Sequence, residues 1–109
     1  MTDAPTSQLL FNGVLVVGQF FLPDEVRAHA KTIVPGDTCE LEAEPTNQHD
    51  ANAVMVKFKG QRVGYLPKEI APTAALFLKN GFLLTTTVQA TLVNKNKNFT
   101  VSVIATRPT

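Results

Sequence analysis

Between Glu44 and Ala71 the chain gathers its chemistry-bearing side chains at two nearby points. Glu44, Asn47, His49 and Asp50 share one polar stretch, and Tyr65 and Lys68 follow in the step Gly64-Tyr65-Leu66-Pro67-Lys68. An imidazole beside a carboxylate can move a proton or hold a metal, so both uses have to be weighed. As neighbours in an extended segment, His49 and Asp50 point to opposite sides instead of forming a hydrogen-bonded dyad. No serine and no second histidine stands at a spacing that suggests a nucleophile–base pair, which leaves a Ser/His/Asp triad without its parts. A metal held by Glu44, His49 and Asp50 would have a single imidazole and no recognised ligand spacing. Glycine-rich phosphate loops of the P-loop or dinucleotide type are absent. No catalytic residue, metal or cofactor is expected.

Binding suits these residues better. Phe20, Phe21, His49, Tyr65 and Phe99 are planar groups near expected strand ends or loops, and Lys68, Lys95 and Lys97 are cations nearby. Aromatic faces stack on unpaired bases and lysines neutralise phosphates, which together make a single-strand binding surface. Each group also has an ordinary structural use: phenylalanines fill cores, and a strand-end tyrosine packs its ring while its hydroxyl stays wet. Asp50 beside a polyanion is unfavourable unless it accepts a hydrogen bond from a sugar hydroxyl, a task a carboxylate performs well.

The elements that position these residues are mainly strands. Gly13–Phe21 is apolar and β-branched, and reads as a buried strand in which Gly18 marks a bulge or a close backbone approach. Residues 1–8 are polar and expected to be flexible, with a single domain over 9–109. Pro23-Asp24-Glu25 opens a short helix with Val26, Ala30 and Ile33 on one face and His29 in solvent, closed by the turn Pro35-Gly36-Asp37. Thr38–Glu44 alternates, with Cys39, Leu41 and Ala43 toward the core; Cys39 is thus a small core residue and not a nucleophile. Ala53–Phe58 and Arg62–Leu66 form a hairpin through Lys59-Gly60-Gln61. A short turn at Pro67–Ile70 precedes a helix over 72–79, which ends at Asn80-Gly81. Phe82–Val93 and Asn98–Thr106 are two longer strands joined by the polar tip 94–97, with Phe99, Val101, Val103 and Ala105 lining one face. Six strands with hairpin connections favour an all-β, closed or nearly closed OB-like or SH3-like barrel with one or two short accessory helices, because closure removes open edges.

At 109 residues, 44% hydrophobic and 17% charged, the chain is sized for one domain with an ordinary core. The single cysteine excludes an internal disulfide, no apolar run is long enough to span a bilayer, and the first residues lack a basic signal-peptide region. A cytoplasmic setting is expected. The net charge is +1, yet residues 1–56 hold two basic against eight acidic side chains, while residues 57–109 hold eight basic against one acidic. Either one face is basic, or the two halves interleave and the charges mix.

The order of these segments is similar to that of a known family. Val17-Gly18-Gln19-Phe20-Phe21, Pro35-Gly36-Asp37, Glu44-Pro45-Thr46-Asn47-Gln48-His49-Asp50-Ala51-Asn52-Ala53-Val54 and Val63-Gly64-Tyr65-Leu66-Pro67-Lys68-Glu69-Ile70-Ala71 resemble the HIRAN domain over about residues 13–80. The resemblance implies an OB-like barrel that recognises DNA. In eukaryotes such domains are fused to helicase-like DNA-repair remodellers and capture the 3′-hydroxyl end of single-stranded DNA; in bacteria and phages they also occur alone or beside nuclease modules.

By motif position, the resemblance implies that Phe20 and His49 would sandwich the terminal base and that Asp50 would read the 3′-hydroxyl. Asn47 adds a polar contact, and Tyr65 and Lys68 fall where the family contacts phosphates and sugar. Gln19 stands where the eukaryotic end-binding member has an arginine, which removes one phosphate contact. His49 stands where that member has a tyrosine, giving a smaller, protonatable platform. Weaker and more salt-sensitive binding is implied.

The expected function is therefore a non-enzymatic module binding single-stranded DNA, at its 3′-hydroxyl end, in repair or replication-fork processing. The Lys95/Lys97 tip would steady the backbone, and a helicase or nuclease would be a protein partner. An alternative is a protein-interaction barrel that recruits such a partner without touching DNA, and a third is a metal-dependent nuclease centred on His49 and Asp50. Neither oligomeric state nor a preference between DNA and RNA follows from the residues.

Overall fold

The computed structural model describes residues 7–18, 23–92 and 98–108. Its elements run β1 (Ser7–Leu15), α1 (Asp24–Ala30), β2 (Thr38–Ala43), β3 (Val54–Phe58), β4 (Gln61–Tyr65), α2 (Ala71–Lys79), β5 (Leu83–Thr91) and β6 (Phe99–Thr106). The six strands form one antiparallel sheet in the order β1-β6-β5-β2-β3-β4. The sheet coils on itself without closing fully. Among the described residues one bridge spans the seam: Val17 N–H donates to the Tyr65 carbonyl at 2.9 Å, and Tyr65 N–H donates back at 2.7 Å. The nearly closed, OB-like barrel expected from the strand count is the observed fold.

Alternation of side chains builds the core. Val54, Val56 and Phe58 of β3 and Phe99, Val101, Val103 and Ala105 of β6 are all buried, with the intervening residues partly exposed. Phe99 is therefore wholly a core residue, fully shielded from solvent, and does not serve as a stacking surface. In β2 the alternation weakens along the strand: Cys39 is buried, Leu41 is half-buried and Ala43 is exposed. The strand leaves the core there, since β2 pairs with β5 only at Thr38–Thr87 and Cys39–Thr86 before diverging toward β3. Burial, together with the nearby carboxylates of Asp37 and Glu40, pushes the Cys39 thiol up to about 11.

The first strand differs from the sequence expectation. It spans Ser7–Leu15 and not Gly13–Phe21, and it is largely exposed because it lies at the sheet edge against β6. Ser7 and Gln8, expected to be flexible, pair with Thr106 and Ala105. Among the described residues of this segment only Val16, just beyond the strand, is fully buried. Bulges in β1 and β5 fall side by side, where the Gln89 side chain accepts from Gly13 N–H at 2.8 Å and donates to Asn12 at 2.6 Å.

The helices pack against the sheet, α1 on β4 and α2 on β5, β2 and β3. Ala30 and Ile33 of the α1 segment are buried as expected. His29 is not solvated: its Nε2 lies 2.9 Å from the Phe58 carbonyl and its ring 5.3 Å from the Phe58 ring. That contact ties α1 to the tip of the β3–β4 hairpin, where Lys59 and Gly60 both have positive φ, the backbone of a tight type I′ turn. Helix α2 has Pro72 in its first turn and ends at Asn80. No helix among the described residues is long and apolar enough to cross a membrane.

Candidate nucleic-acid interface

Three segments meet beside the seam bridge: the β2–β3 loop (residues 44–53), the end of β4, and Val17-Gly18 after β1. Between them lies an open cleft of about 740 Å³, whose walls include Asn47, His49, Asp50, Tyr65 and Lys68. The structure thus brings Asn47, His49, Asp50, Tyr65 and Lys68 to one cleft, while Phe99, the other described candidate, stays in the core. Gln19, Phe20, Phe21, Lys95 and Lys97, with the hairpin tip at 94–97, lie outside the described residues.

The loop keeps its shape through short polar side chains acting on its own backbone. The Asn47 side-chain oxygen accepts from His49 N–H at 2.8 Å and from Asp50 N–H at 3.0 Å, while its amide donates to Glu44 Oε1 at 2.6 Å. Asp50 Oδ1 accepts from Asn52 N–H at 2.9 Å. Such local side-chain bonds substitute for sheet pairing and hold tight turns. Two backbone bonds close the base of the loop, from Glu44 N–H to Ala53 O (2.8 Å) and from Ala53 N–H to Asp50 O (3.0 Å). Asn47 and Asp50 are half-buried, whereas His49 is exposed and lines the cleft. No hydrogen bond from described residues reaches the second Asp50 oxygen.

The facing wall is β4. Tyr65 is half-buried, and its hydroxyl donates to Glu44 Oε1 and accepts from Arg62, both at 3.0 Å. The ring packs against the backbone of Gly18, where a Cβ would stand 3.3 Å from Tyr65 Cδ1 and φ is +89°. The close approach expected at Gly18 is this contact. Leu66 donates its N–H to Val54 O, and the following turn presents the exposed Lys68 ahead of α2.

Sequence reasoning passed over Arg62. In a regular strand, residues three apart face opposite ways. Here β4 carries a bulge: Gly64 pairs with Val56 and Arg62 with Lys57, leaving Val63 extra. Val63 and Gly64 are both buried, so Arg62 and Tyr65 share the outer face. The only signal in the sequence was Gly64, a residue type common at bulges.

Charge at the cleft is mixed. Glu44 and Asp50 from the acidic half face Arg62 and Lys68 from the basic half. The strand order interleaves the two halves of the chain, and Lys57 pairs with Glu42 at 3.3 Å. Among the described residues, no group of three or more His, Cys, Asp or Glu side chains comes together as a metal site.

A model of the HIRAN domain family matches residues 13–106. The chain belongs to the HIRAN domain family. Solved structures agree with this fold. A protein from Lactobacillus plantarum superimposes with a TM-score of 0.81 at 22% identity, covering 95% of this chain and 99% of that one. The crystal structure of the HIRAN domain of human HLTF gives a TM-score of 0.73 at 23% identity, covering 94% of this chain and 80% of that one. The NMR structure of the HLTF domain gives 0.62 at the same identity and coverage. At such identities the likeness establishes a shared HIRAN fold. Among curated proteins none matches the sequence.

Proposed function

We propose that this HIRAN domain binds single-stranded DNA at its 3′-hydroxyl end and performs no chemistry of its own. The reading is carried by the cleft, in which His49, Asp50, Tyr65 and Lys68 line one cavity large enough for a nucleotide. Phe20 and His49 stack the terminal base, and the second Asp50 oxygen accepts from the terminal hydroxyl while the first is spent on Asn52. Asn47 holds the loop and offers a polar contact, and Tyr65 and Lys68 meet sugar and phosphate. Gln19 lies beside Phe20 in sequence, and Lys95 and Lys97 steady the strand beyond its end. Such a module would serve DNA repair or fork processing beside a helicase or nuclease, in the cytoplasm.

A comparison of two fluorescent oligonucleotides, identical except for a free or phosphorylated 3′ end, tests this at low salt. One lost hydrogen bond to a carboxylate, together with the repulsion between that carboxylate and phosphate, predicts roughly tenfold or greater weakening of the blocked strand. Equal affinity for the two removes end recognition. Failure to bind either strand, with a stable complex in a pull-down, replaces the proposal with the protein-recruiting barrel.

A further inference from the structure

We propose that Arg62 is a phosphate-binding residue of the cleft, its guanidinium braced on Tyr65 to receive a phosphodiester of the bound strand. The inference rests on the nucleic-acid reading above and adds a residue that the sequence motif did not supply.

The environment of Arg62 is unusual for an arginine. It is exposed at the cleft wall, and among the described residues its one side-chain hydrogen bond is the 3.0 Å donation to the Tyr65 hydroxyl. No carboxylate among the described residues comes within ion-pair distance of it. A guanidinium has five N–H donors in a planar fork, so most remain for an anion that can accept two of them together, as a phosphate does.

The group is also held in place. Its Cζ lies 5.9 Å from the Tyr65 ring centroid. The hydroxyl of that ring is fixed on Glu44 Oε1, which Asn47 grips in turn. A cation positioned before the ligand arrives loses less freedom on binding than a free side chain does.

The charge balance points the same way. Without Arg62 the cleft would set Glu44 and Asp50 against Lys68 alone, a net negative pocket that repels a polyanion. Arg62 brings the fixed charges level, so phosphate can approach the carboxylate that reads the strand end.

The rival explanation is that Arg62 only holds Tyr65 in position. A salt series of single-stranded DNA affinity for the wild type, Arg62→Gln, Arg62→Lys and Tyr65→Phe separates the two. Loss of one phosphate contact should weaken Arg62→Gln about tenfold at low salt and reduce the log–log salt slope by about 0.7. Arg62→Lys should recover the slope but only part of the affinity, because an ammonium lacks the fork. Tyr65→Phe should leave the slope unchanged. If Arg62→Gln and Tyr65→Phe weaken binding equally with the wild-type slope, the Arg62 assignment falls while nucleic-acid binding stands. A wild-type chain that binds no oligonucleotide overturns both.

Discussion

Asn47 shows how one side chain can support several others at this site. Its amide is half-buried and makes three hydrogen bonds, two of them to the backbone of His49 and Asp50. Replacing it with alanine leaves those N–H groups and Glu44 to find other partners. The expected cost of Asn47→Ala is about 1–3 kcal/mol of stability. Amide hydrogen exchange at His49 and Asp50 should accelerate well beyond that of β6; unchanged protection there would show that the loop does not depend on Asn47. Asn47→Asp keeps the accepting oxygen but sets a carboxylate against Glu44, so it should protect the two amides better than alanine yet disturb the Glu44–Tyr65 link.

Among the elements, the seam decides whether the cleft has a far wall. Val17 and Tyr65 exchange backbone hydrogen bonds, and Gly18 then turns the chain at a φ that side-chain-bearing residues rarely adopt. Gly18→Ala combines backbone strain with a Cβ 3.3 Å from the Tyr65 ring. The expected loss is about 1–2 kcal/mol, read from the urea midpoint and accompanied by shifted Tyr65 ring resonances. An unaltered midpoint and spectrum would mean that the seam tolerates a side chain. The β3–β4 hairpin is better anchored, because its turn is built from Lys59 and Gly60 and its Phe58 carbonyl is capped by His29.

For the whole molecule, the joint between β2 and β5 is where burial and ionisation meet. Cys39 lies there beside Thr86, whose buried hydroxyl has no hydrogen-bond partner among the described residues. The folded thiol titrates near 11 against an ordinary value of 9.0. Folding therefore favours the protonated form: its contribution is complete below about pH 9 and is lost as pH rises through 11. Between those values the wild type should lose stability faster than Cys39→Ala, measured as the difference in urea midpoints at pH 8 and pH 10.5. Parallel declines would remove Cys39 as the cause. At neutral pH the same burial should keep the thiol slow to alkylate until the barrel opens.

The sequence by itself determined the strand and helix content, the core faces of β3 and β6, and the polar loop with its Asn, His and Asp. These follow from local periodicity and turn chemistry, which neighbouring residues carry among themselves. It was less informative about β1, because an edge strand that exposes Leu9 and Leu15 lacks the pattern that burial imposes. Only the tertiary structure decided that the acidic and basic halves interleave, since strand order depends on pairings between distant segments. The same holds for Arg62: a single bulged residue in β4 changes the face on which it lies, and a bulge is set by the partner strand as much as by the sequence that contains it.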